Sequence, residues 1–169
     1  MSFRPLLVAA ALAAISSPAL AGSLALVGPD GQAVTLTSAD VAALPRVKVT
    51  FAGHGETHDY EGPLLIDVLA KAGAPTGKAL RGAALADVVL IEAADGYRVA
   101  LGLAEADPGT RPNRIILADR ADGAPLSATD GPFKLVVEGD LRPARSARMV
   151  GKITVLRLGG DGAAQPHAY

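Results

Sequence analysis

His54, Glu56, His58 and Asp59 crowd one short stretch of the chain, and all four side chains can ligate a metal or move a proton. Two histidines four positions apart share a metal when they sit on one helical face. Gly53 and Gly55 argue against a helix here, and on an extended strand positions four apart lie about 13 Å from one another, at roughly 3.3 Å per residue. Only a stretch folded back on itself brings these residues together, with His167 of the tail as a further ligand. Otherwise the stretch is a solvated polar loop.

A second cluster is basic. Arg142, Arg145, Arg148 and Lys152 follow one another with Ser146 among them, and no Asp or Glu falls between Asp140 and Asp161. Guanidinium forks on one loop grip a phosphate or other oxyanion bidentately, which ammonium groups do less well. Unbalanced local charge favours an anionic ligand, although the same residues also compose a solvated charged face.

Other chemistries are excluded by the residues present. There is no Gly-x-Ser-x-Gly elbow, no phosphate loop ending in Lys-Ser/Thr, no His-Glu-x-x-His and no dinucleotide fingerprint. The chain has no cysteine, which removes disulfides, thiolate ligands and thiol nucleophiles together. A net charge of −1 with acids and bases interspersed favours neither nucleic acid nor an anionic membrane as partner. The expected partner is a small anionic ligand.

The elements that must position these clusters are mostly strands. Leu24–Val27 and Gln32–Leu36 flank Pro29-Asp30-Gly31 as a hairpin would. Thr37 with Asp40 three residues on caps a short helix that ends before Pro45. Val47, Val49 and Phe51 alternate with polar residues as a half-buried strand, and Gly53 to Asp59 breaks that pattern. Leu64, Leu65, Val68, Leu69 and Ala72 have helical spacing up to Gly73. Val88–Ile91 and Tyr97–Leu101 form a second hairpin across Ala94-Asp95-Gly96. Short strands follow at Ile115–Leu117, Phe133–Val137 and Ile153–Leu158, the last two on either side of a basic loop over Arg142–Lys152. Such an order predicts a β-rich α+β domain rather than a wound βαβ sheet.

The first residues read as a leader. Arg4, an apolar run from Leu6 to Ile15, and Ala19-Leu20-Ala21 have the order of a cleavable signal peptide. The run is too short to span a hydrocarbon core of about 30 Å, and no later segment reaches the roughly 20 apolar residues that a spanning helix needs. The organisation expected is therefore a signal peptide over 1–21, one domain over 22–159 and a flexible tail over 160–169. The mature protein is expected in the periplasm or secreted.

The order of several phrases resembles the sulfite-oxidase-type molybdopterin-binding domain. These are Leu36-Thr37-Ser38-Ala39-Asp40-Val41, then Tyr60-Glu61-Gly62-Pro63-Leu64-Leu65-Ile66-Asp67-Val68-Leu69, Ala94-Asp95-Gly96-Tyr97, Asp122-Gly123-Ala124-Pro125-Leu126, Gly131-Pro132-Phe133-Lys134-Leu135-Val136-Val137 and Lys152-Ile153-Thr154-Val155. The resemblance implies a mixed α+β fold that holds a pterin-bound molybdenum and oxidises or reduces small oxo compounds. It also implies a cysteine thiolate just after the strand at Val47–Phe51, where this chain reads Phe51-Ala52-Gly53-His54-Gly55 and leaves only His54 near the metal. The family's Arg-Ser-x-Lys-Trp-like phrase, which contacts the pterin and its phosphate, falls on Arg145, Ser146, Arg148 and Met149. Arg142, Arg145, Ser146 and Arg148 are thus the expected cofactor-binding residues, and they and His54 should border one cavity. A soft thiolate both anchors the metal and tunes its potential. Its loss points to a domain that binds an anionic or pterin-type ligand, or a redox partner protein, without molybdenum redox chemistry of its own. The alternative is a reduced-size oxidoreductase.

Overall fold

Alternation of apolar and polar residues, interrupted by glycine and proline, produces eleven strands and two short helices over the described part of the chain. The structure is a computed structural model that describes residues 22–53 and 55–158. His54, the expected signal peptide over 1–21 and the expected tail over 160–169 with His167 lie outside the described residues. In chain order the elements are β1 (Ser23–Val27), β2 (Ala33–Thr37), α1 (Ser38–Ala42), β3 (Arg46–Gly53), β4 (Glu56–Pro63), α2 (Leu65–Ala70), β5 (Val88–Ala93), β6 (Arg98–Gly102), β7 (Ile115–Ala118), β8 (Arg120–Ala121), β9 (Ala124–Pro125), β10 (Lys134–Val137) and β11 (Val150–Leu156). This is the expected β-rich α+β fold.

A five-stranded sheet has the order β2-β1-β11-β5-β6, with β1 and β11 parallel and the other neighbours antiparallel. A four-stranded sheet runs β3-β4-β8-β9, and β7 pairs with β10 between the two. That central pair is buried on both faces, so its sequence reads as a continuous apolar run. Ile115, Leu117, Leu135 and Val137 join the larger core with Leu24, Ile91, Ile153 and the apolar face of α2. Ile116, Ala118 and Val136 point the other way, into a smaller core with Val49, Phe51 and Tyr60. Period-two alternation therefore lets one ribbon serve two cores.

The local signals act as expected at several points. Thr37 and Asp40 form a reciprocal capping box on α1. Gly73, at φ +82°, follows α2 where a left-handed residue closes a helix. Gly62 serves close packing: a Cβ there would lie 2.1 Å from the carbonyl oxygen of Leu117, so only glycine lets β4 cross the backbone of β7.

Two expectations are corrected. The segment after Phe51 is not a break, because β4 starts at Glu56 and pairs with β3 in continuous register from Gly53↔Glu56 to Arg46↔Pro63. The basic loop ends at Met149, since β11 starts at Val150. Lys152 belongs to that strand, where its ammonium pairs with Glu92 at 3.2 Å.

Candidate functional site

The tip of the β3–β4 hairpin faces the basic loop across a cavity of about 730 Å³. One wall comes from Phe51, Gly53, Glu56, His58 and Tyr60, and the other from Arg142, Pro143, Ala144, Ser146, Ala147 and Arg148. Asp95, Tyr97, Asp130 and Lys134 complete the lining. The volume suits a drug-sized or cofactor-sized ligand.

The loop that carries the arginines is rigid because it runs back along β10. Leu135 donates its N–H to the Ala147 carbonyl at 2.7 Å, and Met149 donates to Asp130 at 2.8 Å. Tyr97 donates its hydroxyl to the Ala144 carbonyl at 2.6 Å, which ties the β5–β6 turn to the same loop. The Ser146 hydroxyl accepts from Val137 N–H at 3.4 Å, so its own proton is available to a ligand.

The three arginines divide into two roles. Arg142 and Arg148 are exposed on the cavity wall and meet no acid within ion-pair distance among the described residues. Arg145 is absent from that wall. Its Nε and Nη2 clasp the Asp140 carboxylate at 2.9 and 2.6 Å, and its Nη1 reaches Glu105 at 3.2 Å. The hydrogen bonds to Asp140 are the main cause of a guanidinium pKa raised above its ordinary value. The basic stretch is thus partly neutralised by Asp140 at its own start and by Glu105, forty positions upstream. Of the cofactor-binding residues expected from sequence, Arg142, Ser146 and Arg148 come together, whereas Arg145 staples the loop.

His58 lies on the opposite wall, a third exposed, with Nδ1 2.7 Å from Asp122 and Nε2 3.4 Å from Glu56. The hydrogen bond with Asp122 is the main cause of its raised pKa. Asp122 in turn accepts from Asp59 N–H at 2.9 Å, and its pKa is lowered chiefly by that bond. Among the described residues no three metal-ligating side chains cluster around a common point.

Sequence reasoning missed Tyr60 and Lys134. The Lys134 ammonium donates to the Tyr60 hydroxyl at 3.0 Å and to Asp130 at 2.7 Å. It also lies 4.8 Å from the Tyr60 ring centroid. Burial works against its charge, yet the bonds to Asp130 and Tyr60 leave its pKa raised. The signal available was a lysine at the start of an otherwise buried strand, which calls for a partner.

A second cavity, of about 420 Å³, is lined by Arg46, Glu61, Asp119 and Arg120 among others. It offers less, because Arg46 is already held bidentately by Asp119 at 3.1 and 2.5 Å.

The cavity's donors fit a polar anion: two unpaired guanidinium groups, the Ser146 hydroxyl and the Lys134 ammonium. They do not fit a soft metal, for which neither a thiolate anywhere in the chain nor a ligand cluster among the described residues is present. The family model described as the oxidoreductase molybdopterin binding domain matches residues 22–162. The crystal structure of the sulfane dehydrogenase SoxCD from Paracoccus pantotrophus superimposes with a TM-score of 0.62 at 17% identity, over 80% of this chain and 38% of that one. This chain therefore spans well under half of the dehydrogenase chain, and at that identity the likeness shows the fold. A search of curated proteins gives no match.

Proposed function

The chain belongs to the oxidoreductase molybdopterin-binding domain family, and we propose that it holds an anionic, pterin-type ligand in the 730 Å³ cavity without molybdenum redox chemistry of its own. The observation that carries this reading is the pairing state of the arginines. Arg142 and Arg148 reach the cavity with no acid partner, while the neighbouring Arg145 is neutralised. A guanidinium left unpaired on a concave wall is free to take a phosphate or carboxylate bidentately. The residues here bind and orient the anion, and no cysteine exists to anchor a metal.

Elemental analysis for molybdenum, paired with pterin fluorescence, tests this on protein purified from a host that makes the cofactor. The expected outcome is no stoichiometric molybdenum, with binding of added pterin-6-carboxylate that Arg142→Gln and Arg148→Gln each weaken. Near-stoichiometric molybdenum retained through purification overturns the reading in favour of a reduced-size oxidoreductase, the alternative that the family match over residues 22–162 favours. Export belongs to the same proposal: N-terminal sequencing of the mature protein should begin at Gly22.

A further inference from the structure

Counting hydrogen bonds around Tyr60 leaves two donors unused. A phenol has one proton to donate and lone pairs to accept. Here the oxygen accepts from Lys134 at 3.0 Å, and its own proton has no acceptor among the described residues. Lys134 has three N–H donors, of which one goes to Tyr60 and one to Asp130. Tyr60 is 5% exposed and the Lys134 side chain 16% exposed, so the cavity is the one direction from which an acceptor can reach either. Both line the cavity that Arg142 and Arg148 also line. In the free chain water in the cavity meets these donors, and a ligand oxygen that displaces it meets two donors already in place.

We propose that Tyr60 and Lys134 form a donor pair that binds a carbonyl-type oxygen of the ligand on the inner wall of the cavity. The inference rests on the ligand reading above and deepens it: the ligand has an anionic group for the arginines and, apart from it, a neutral oxygen acceptor on a planar ring. Lys134, by donating to the phenol oxygen, polarises the O–H and strengthens it as a donor. Asp130 holds the ammonium in place and leaves its third proton for the same acceptor. The edge of His58, with ring centroids 5.9 Å apart and planes at 63°, fixes the orientation of the Tyr60 ring.

The test uses the full chain and two probes. Pterin-6-carboxylate has both an anion and a ring carbonyl, whereas inorganic pyrophosphate has the anion alone. Tyr60→Phe removes only the hydroxyl, and the ring keeps its packing and its contact with the Lys134 ammonium. We expect it to weaken pterin-6-carboxylate binding by about five- to tenfold, the worth of one hydrogen bond to a well-oriented donor, with pyrophosphate binding unchanged. Lys134→Met, which leaves Asp130 unpaired, should weaken the same probe further. In combination with Tyr60→Phe it should lose less than the product of the two single effects. Equal pterin-6-carboxylate affinity in wild type and Tyr60→Phe, with Arg142→Gln still weakening it, overturns the donor pair and leaves the ligand reading standing. Failure of wild type to bind either probe overturns both.

Discussion

Replacing Arg145 by glutamine should cost stability and spare binding. Its guanidinium makes three charged hydrogen bonds, two to Asp140 and one to Glu105. The Asp140 side chain is 17% exposed, so the bidentate arm is only partly screened, whereas Arg145 and Glu105 are exposed by a third or more. Fully exposed pairs contribute about 0.2–1 kcal/mol, and charged hydrogen bonds out of bulk water about 1.5–3 kcal/mol. Discounting the Glu105 arm for solvent screening gives about 2 kcal/mol in all. For a domain of this size that lowers Tm by roughly 6 °C. Arg142→Gln removes an exposed, unpaired side chain and should move stability by no more than about 0.5 kcal/mol, yet weaken pterin-6-carboxylate by about tenfold. Urea unfolding and fluorescence titration on both variants separate the two effects. Were Arg145→Gln to abolish binding at unchanged stability, the division of the arginines into a staple and a ligand grip would be wrong.

Two further expectations follow from other parts of the site. Ring NMR should place the His58 pKa above its ordinary 6.5, and Asp122→Asn should bring it down. The raised folded-state value means that this contribution to stability is fully present below about pH 6.5 and is lost as pH rises through the folded pKa. The stability gap between wild type and His58→Gln should therefore narrow at alkaline pH, and a His58 pKa at or below 6.5 would contradict the geometry. Gly62→Ala would drive a Cβ to 2.1 Å from the Leu117 carbonyl oxygen, so a loss of about 2–4 kcal/mol in denaturant unfolding is expected. A neutral result would mean that β4 can move away from β7.

What the sequence reveals of this fold depends on how much each strand buries. The β3 strand is legible because Val49 and Phe51 alternate into the smaller core. Its partner β4 is not, because Glu56, Thr57, His58 and Asp59 form a polar outer half that pairs through backbone hydrogen bonds. Hydrophobic periodicity carries no signal where a hairpin projects past its core. The basic loop is legible as charge, and three of its four candidate residues, Arg142, Ser146 and Arg148, line one cavity. Arg145 was not separable from Arg142 and Arg148, since its second partner, Glu105, sits in a distant 3-10 turn over Leu103–Ala106. Tyr60 and Lys134, too far apart in sequence to suggest a pair, meet because β4 and β10 both border the smaller core.

The two cavity walls rest largely on different supports. The β3–β4 hairpin depends on the smaller core through Val49, Phe51 and Tyr60. The arginine wall depends on other supports: Ala147 and Val150 in the larger core, the Tyr97 bond to Ala144, and the clasp of Arg145 by Asp140 and Glu105. None of those supports passes through the hairpin tip. The two walls come close at one point, since a Cβ on Gly53 would lie 3.4 Å from the Pro143 side chain, so a substitution there is felt beside Arg142, whereas Ser146 and Arg148 keep the supports just named. Tyr60 on β4 and Lys134 at the start of β10 line the same cavity, where on the proposed reading a ligand held by the arginines presents its ring.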